Sequence, residues 1–267
     1  MPTQRDVFTD LNAEAAEIDR LLAGLDTAQW ELPTPAPGWT IAHQVAHLAA
    51  TFRLAGLAAA NPAMFQRVAS TFSPDFDANV SAALAEYLAE PPATLFQRWQ
   101  AERDRAASAL AAVPPNQTVP WLVNPLPPTV LASAGMMELF GHGQDIADTL
   151  GVRRTWTDGI DHLVAFAVRT WDFGYLARDM AVPDTRLRFE ITAPSGASWE
   201  FGPADADNRI AGPAEDLCLL VTRRRHHTDL DLVATGDVAQ QWLEIAQAYR
   251  GPAGQGRTAG QFATARR

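Results

Sequence analysis

The placement of proline divides the first 150 residues of this chain into long segments in which apolar residues recur at helical spacing. After Pro2, prolines occur at 33, 35, 37, 62, 74, 91, 92, 114, 115, 120, 125, 127 and 128. Each proline removes a backbone donor and fixes φ, so it marks a loop or a helix boundary. Between the chain start and the first of these breaks, the apolar spacing over residues 6–25 predicts a helix with one buried face.

Three further long helices are predicted in this half of the chain. They cover Ile41–Ala60, 79–112 with a bend at 91–92, and 130–150. Thr40 is a suitable N-cap for the first of the three, and Gly151 is a C-terminal signal for the last. Four helices of this length predict a four-helix bundle, and we expect a first domain over residues 1–155.

The pattern changes after Trp156 and predicts a smaller α+β domain over residues 156–267. The predicted elements are a helix at 158–180, a strand at 187–193, a second hairpin strand at Ser198–Phe201, a mixed segment at 214–222, a strand at 229–235 and a helix at 237–249. The Gly, Ala and Arg-rich tail from residue 251 is expected to be mobile. The chain as a whole is therefore expected to be α+β.

Composition narrows the range of partners. Arginine supplies all 21 basic residues, the net charge is −10, and 47% of residues are hydrophobic. An acidic chain without a basic stripe makes nucleic acid an unsuitable partner, which leaves a small molecule. The single cysteine, Cys218, lies in an apolar run, and the chain shows neither a leader pattern nor about 18 consecutive apolar residues, so we expect a cytoplasmic protein that does not enter a membrane. The pattern does not indicate an oligomeric state.

Two histidines and a glutamate have the spacing of metal ligands. Glu138 and His142 are four residues apart on one predicted helix, so both side chains leave the same face. His43 and His47 have the same spacing on another helix, and an inward His47 would supply a third ligand. Such i,i+4 pairs are also common as ordinary contacts on solvated helices, but apolar neighbours around all three residues favour a buried site.

Two sequence runs resemble the DinB-like family that includes mycothiol-dependent maleylpyruvate isomerase. They are Pro-Ala-Pro-Gly-Trp-Thr-Ile-Ala-His-Gln-Val-Ala-His-Leu at 35–48 and Met-Glu-Leu-Phe-Gly-His-Gly-Gln-Asp-Ile at 137–146. The resemblance implies a divalent metal, with zinc expected, bound by His47, Glu138 and His142. It also implies mycothiol as a candidate cosubstrate.

The likeness continues in the second half, over residues 167–173, 191–196 and 220–226. These runs resemble an actinobacterial branch with a sterol-carrier-like C-terminal domain. In the isomerase, an arginine of this domain is thought to assist at the active site. The resemblance therefore makes Arg169, Arg224 and Arg225 candidates for binding a carboxylate or an oxyanion.

Three other features leave alternatives open. Asp145 follows His142 by three residues and would either bond a ligand imidazole or a substrate amine, or face solvent. His43 would support a ligand, be a fourth ligand, or pack in the bundle, and Trp39 is expected to pack its loop onto the bundle.

Three positions near the proposed ligands differ from the branch that this chain resembles. Where the branch has a tryptophan, an aspartate and an arginine, this chain has smaller or less polar residues. They are Ala50, Phe52 and Gly135.

Three functions are compatible with this pattern. The first is a metal-dependent thiol S-transferase or isomerase that activates mycothiol or a related thiol, or polarises a carbonyl substrate. The second is a thiol-independent metalloenzyme or cyclase that acts on a hydrophobic biosynthetic intermediate, as the three less polar positions suggest. The third is a small-molecule binding protein without catalysis.

Overall fold

The computed structural model describes residues 5–262, which form two compact units. The first spans Asp6–Arg153 and the second begins at Arg154. The regular secondary structure of the first unit is helical apart from two isolated bridges, and the second unit contains a four-stranded sheet with helices. No helix within residues 5–262 is long and apolar enough to cross a membrane. The fold class is therefore a helical bundle followed by an α+β region, as the sequence predicts.

The first unit contains seven helices. They are α1 (Val7–Leu22), α2 (Thr27–Trp30), α3 (Ile41–Ala60), α4 (Pro62–Ala69), α5 (Phe76–Leu88), α6 (Pro92–Ala112) and α7 (Pro128–Leu150). Helix α3 packs against α4, α5, α6 and α7, and α1 packs against α6 and α7. The four long helices α1, α3, α6 and α7 thus enclose one core, in which Ile18, Leu48, Trp99 and Leu139 have no exposed surface.

A half-buried carboxylate joins two of these helices. Asp19 of α1 accepts hydrogen bonds from Trp99 Nε1 at 2.9 Å, Gln100 Nε2 at 3.1 Å and Arg103 Nη1 at 2.6 Å, all from α6. Three hydrogen-bond donors, one of them charged, replace the water molecules that the carboxylate loses on folding. This contact fixes α1 against α6 on the side of the bundle that these residues occupy.

The helix boundaries confirm most of the prediction for this unit. Helix α3 has the predicted bounds, and Gly151 ends α7 with a left-handed φ of 66°. The prediction of one bent helix over 79–112 was wrong, because α5 and α6 are separate. Helix α4 was also missed: Pro62 occupies its first turn, where no amide donor is needed, and Asn61 Oδ1 accepts from Met64 N at 3.1 Å.

The second unit is built on a mixed sheet in the order β2-β1-β3-β4. Its helices are α8 (Asp161–Arg169), α9 (Phe173–Leu176), α10 (Ala214–Val221) and α11 (Asp237–Ile245), and its strands are β1 (Leu187–Thr192), β2 (Ser198–Phe201), β3 (Asn208–Pro213) and β4 (Val233–Thr235). Strand β1 is antiparallel to β2 and parallel to β3. Trp242 of α11 packs edge-on against Phe189 of β1 at 5.4 Å, which fixes that helix on the sheet.

Several expectations for this unit need correction. The helix predicted over 158–180 is broken after Arg169, where the chain turns before α9, and the strand predicted over 229–235 is strand only from Val233. The mixed segment at 214–222 is the helix α10. Strand β3 was missed because Ile210 is its one fully buried residue, so apolar and polar residues do not alternate along it as they do in a half-buried strand.

The tail contacts its own unit where the structure describes it. Gly260 N donates to both carboxylate oxygens of Asp229 at 2.9 Å, and the guanidinium of Arg225 lies 3.9 Å from the ring centroid of Phe262. Residues 251–262 are thus placed against the second unit rather than away from it. The remainder of the tail predicted to be mobile, residues 263–267, lies outside the described residues.

The centre of the bundle should be sensitive to truncation at Phe52. Phe52 is 3% exposed and meets Trp99 edge-on at 5.3 Å. We expect Phe52→Ala to lower the free energy of unfolding by about 3–5 kcal/mol, through lost burial and the cavity left behind. Phe76→Ala, at a phenylalanine that is 48% exposed, is the matched control and should cost under about 0.5 kcal/mol. Urea denaturation measures both variants, and equal losses of unfolding free energy in Phe52→Ala and Phe76→Ala would contradict a core centred on Phe52.

Candidate metal centre

His47, Glu138 and His142 converge at the contact between α3 and α7. Glu138 Oε2 lies 3.4 Å from His47 Nε2 and 3.2 Å from His142 Nε2. One ligand atom from each residue lies within 4.8 Å of the others. Two imidazole nitrogens and one carboxylate oxygen are a donor set that Zn²⁺ commonly takes, with a fourth position open in catalytic sites. These three residues therefore fit a divalent metal.

The loop before α3 covers this cluster with an aromatic ring. Trp39 is stacked on His142, with ring centroids 5.8 Å apart and planes 19° apart, and its centroid lies 5.4 Å from that of His47. Gly38 allows the approach, since its φ of 78° is in the left-handed region. Trp39 thus packs onto the bundle directly over the two histidines, and the side chains of the three candidate ligands are only 13–21% exposed.

Glu138 is in its ionised form in this setting. Burial by itself raises the pKa of its carboxyl group, but hydrogen bonds from His142 and His47 and the positive charge of the imidazoles outweigh burial, so the pKa lies well below its usual range. An ionised carboxylate is the form that binds a metal. Protonation of Glu138 therefore does not compete with metal binding near neutral pH.

Gln44, which sequence reasoning missed, fixes the orientation of His142. Gln44 has no exposed surface, and its Oε1 lies 2.5 Å from His142 Nδ1. Its Nε2 donates to Thr34 Oγ1 at 2.8 Å and faces Asp145 Oδ2 at 3.5 Å. Thr34 Oγ1 in turn donates to the Trp39 carbonyl at 2.9 Å.

These contacts determine where the proton of His142 lies. The amide NH₂ of Gln44 faces an acceptor-only carboxylate and a hydroxyl whose proton is already used, so its Oε1 must face His142. The Nδ1 of His142 therefore carries the proton that Gln44 accepts. Nε2 is then the nitrogen that faces Glu138 Oε2. Without a metal, its proton is donated to that carboxylate, and a metal would be bound through this nitrogen after the proton is lost.

A signal for Gln44 was present in the sequence. It is an amide in a helical run whose other members, from Ile41 to Leu48, are apolar or histidine, and a buried amide needs partners for its donors and its acceptor. Which partner it meets depends on the pairing of α3 with α7, and spacing along one helix does not give that pairing.

The structure gives different roles to the other residues near the cluster. Asp145 has no exposed surface, which excludes the alternative that it faces solvent, and its carboxylate faces the Gln44 amide. His43 Nδ1 lies 2.8 Å from Thr40 Oγ1 and 3.3 Å from the Thr40 amide. This contact places His43 at the first turn of α3, where it helps to cap the helix.

The less polar positions belong to the packing of the bundle. Phe52 lies against Trp99, and a Cβ on Gly135 would lie 3.5 Å from Phe52 Cζ and 3.3 Å from a methyl group of Leu11. Ala50 packs at the edge of the same core. A large ring at 52 thus occupies the space beside a residue without a side chain at 135. These positions fill the core, which removes the argument for a hydrophobic substrate that rested on them.

The three candidate arginines all lie in the second unit. Arg169 is exposed in the last turn of α8. Arg224 Nη1 donates to the Thr222 carbonyl at 2.5 Å, and Arg225 Nη1 donates to the Arg224 carbonyl at 2.7 Å. Their part in any reaction stays a prediction.

Comparison with known proteins identifies the family. The model of the mycothiol maleylpyruvate isomerase N-terminal domain matches residues 11–147, about half of the chain, and a second model, named for wyosine base formation, matches residues 183–235. The chain belongs to the mycothiol maleylpyruvate isomerase N-terminal domain family. All three candidate ligands lie within the first match.

Two relatives and two solved structures extend the comparison. The uncharacterized proteins MT0041 and Rv0036c, from two strains of Mycobacterium tuberculosis, are each 41% identical over 248 residues, which is 93% of this chain and 96% of theirs. The crystal structure of a mycothiol-dependent maleylpyruvate isomerase shares the fold, with a TM-score of 0.53 at 17% identity over 80% of this chain and 86% of that one. The structure of a histidine-to-alanine mutant of that isomerase has a TM-score of 0.52 at 16% sequence identity, again over 80% of this chain and 86% of that one.

The role of Gln44 can be tested by metal affinity. We expect Gln44→Met, which keeps the volume but removes the acceptor for His142 Nδ1, to weaken Zn²⁺ binding by about 10- to 100-fold in a competition titration with a chelating dye. Gln144→Met is the matched control, since Gln144 is another buried glutamine of the bundle but its amide donates to Asp148. Wild-type affinity in Gln44→Met, or an equal loss in the control, would contradict the assignment.

Proposed function

We propose that this protein is a metal-dependent enzyme that binds zinc through His47, Glu138 and His142 and activates a small thiol, such as mycothiol, for addition to an electrophilic substrate. The reaction is then a thiol S-transfer or a thiol-assisted isomerisation. The observation that carries the proposal is the convergence of three atoms suitable as metal ligands from two helices, with the Nδ1 proton of one imidazole held by Gln44.

A metal bound in this site would act as a Lewis acid, which either lowers the pKa of a bound thiol so that it forms the thiolate or polarises a carbonyl group. The protein contributes binding and orientation. Gln44 keeps the proton of His142 on Nδ1, Glu138 supplies a negative charge, and Trp39 limits access of water on one side of the histidines.

The choice of a thiol is supported by the family rather than by the three ligands. Two solved structures that share this fold are of a mycothiol-dependent maleylpyruvate isomerase. Zinc also binds thiolates readily. A thiol-independent metalloenzyme remains the alternative, and since Phe52 and Gly135 are core residues, the observations on the first unit do not favour it.

The metal can be measured directly on the purified protein. We expect protein prepared without chelator to contain close to one equivalent of zinc by elemental analysis, and His142→Ala to contain much less, because two remaining ligands bind a metal weakly. His226→Ala, in the other unit, should keep the wild-type content. Clearly substoichiometric metal in the wild type would favour a binding protein without metal chemistry, and full metal in His142→Ala would refute the ligand assignment.

Thermal stabilisation tests the thiol. A ligand that binds only the folded state at a concentration of about 100 times its Kd stabilises it by about 2.7 kcal/mol, so millimolar mycothiol should raise the Tm of the zinc-loaded protein. The same thiol should leave the Tm of metal-free His142→Ala unchanged. Unchanged Tm in the zinc-loaded protein would favour the thiol-independent enzyme.

A further inference from the structure

Trp39 covers one side of the proposed metal centre, and Thr51 lies on the other. The ring of Trp39 is close to those of His47 and His43, with centroids 5.4 and 6.3 Å away. His43 precedes His47 by one helical turn on α3, and Thr51 follows it by one turn on the same face. A ligand that approaches His47 from the side away from Trp39 therefore passes Thr51.

The other positions on this side have small side chains without hydrogen-bonding groups. At one end of the contact between α3 and α7, His142 meets Gln44. At the other end Gly135 lies beside Phe52, so the two helices are antiparallel. The remaining residues one turn beyond the ligands on the Thr51 side are therefore Ala50, Ala134 and Gly135. Among these four positions, the hydroxyl of Thr51 is the one polar side-chain group.

This hydroxyl contacts a candidate ligand atom instead of the helix backbone. Thr51 Oγ1 lies 3.4 Å from His47 Nε2, the nitrogen that also faces Glu138, and it has no other hydrogen-bond partner among residues 5–262. A helical serine or threonine usually bonds the carbonyl four residues earlier. Four other hydroxyls of this chain do so at 2.7–3.0 Å, those of Ser133, Thr149, Thr170 and Thr222. Thr51 therefore differs from the other helical hydroxyls in the direction of its contact.

Metal binding would release the Thr51 hydroxyl from this contact. A nitrogen that binds a metal has neither a proton to donate nor a free lone pair, so His47 Nε2 would no longer be a partner for Thr51. The hydroxyl proton would then be available to another acceptor beside His47. In a zinc site with three protein ligands, the molecule in the fourth position is such an acceptor.

We propose that Thr51 recognises a thiol in this fourth position by donating a hydrogen bond from its hydroxyl to the sulfur. The thiol gives its proton to solvent when its sulfur binds, and the negative sulfur accepts a stronger hydrogen bond than a neutral thiol. Ala50 and Ala134 are half-buried and carry no atoms beyond Cβ that would exclude the carbon chain of the thiol. The inference rests on the function proposed above and adds a residue that contacts the reacting atom.

The probe is 2-mercaptoethanol, added to protein that carries cobalt(II) in place of zinc. Sulfur bonded to cobalt(II) absorbs in the near ultraviolet, so the titration measures bound sulfur and does not depend on turnover. The one cysteine of the chain, Cys218, is fully buried, so the signal comes from the added thiol. Thr51→Val removes the hydroxyl and keeps the β-branched shape, whereas Thr51→Ser keeps the hydroxyl.

We expect Thr51→Val to bind the thiol about tenfold more weakly than the wild type, and Thr51→Ser to stay within about twofold of it. Both variants should keep the wild-type metal content, since Thr51 is not a proposed ligand. Thr149→Val is the matched control, because it removes another half-buried hydroxyl of the bundle, which donates to the Asp145 carbonyl at 2.9 Å. This control should keep the wild-type affinity for the thiol.

The outcomes separate the role of Thr51 from the function proposed above. Wild-type affinity in Thr51→Val, an equal loss in Thr149→Val, or an equal loss in Thr51→Ser would overturn the role of Thr51 and leave the metal and the thiol in place. Loss of metal from Thr51→Val would also overturn it, because the hydroxyl would then support the ligands. No sulfur signal in the metal-loaded wild type would overturn this role together with the use of a thiol.

Discussion

The contact of the Glu138 carboxylate with the imidazoles of His47 and His142 determines how the first unit can work. A carboxylate inside a bundle needs positive or donor partners, and here both partners are themselves metal-binding groups from two helices. The pairing of α3 with α7 and the position of the Trp39 loop set this contact. Gln44, held by Thr34, then fixes the ring of one histidine, so the bundle holds these side chains in a defined arrangement that suits a metal ion.

Much of this arrangement could be predicted from the sequence. The bounds of α3, the end of α7 at Gly151 and the convergence of Glu138 with His142 follow from spacing, caps and the i,i+4 geometry. Gln44 was missed, since its partner lies 98 residues away in sequence. The interpretation of Phe52 and Gly135 also needed the fold, because the spacing places a residue near a ligand along the helix and does not give the direction of its side chain.

The second unit was harder to predict for a physical reason. Its elements are short, and the edge-on contact of Phe189 with Trp242 joins elements about fifty residues apart, so local periodicity carries little of the information. Strand β3 pairs in parallel with β1 after the intervening β2, a pairing set by the sheet and not by the pattern of β3 itself. Of the candidate arginines, Arg225 lines a cavity of its own unit, a position that the pattern along the chain does not give.

The central claim is that one divalent metal is bound by two imidazoles and one carboxylate of the first unit. X-ray absorption at the zinc edge, on protein loaded with one equivalent of zinc and without added thiol, tests this most directly. The account predicts a spectrum with scattering from two imidazole rings, other ligands that are oxygen, and no sulfur, with one imidazole lost in His142→Ala. Sulfur bound to zinc in the absence of thiol, or an unchanged spectrum in His142→Ala, would contradict it.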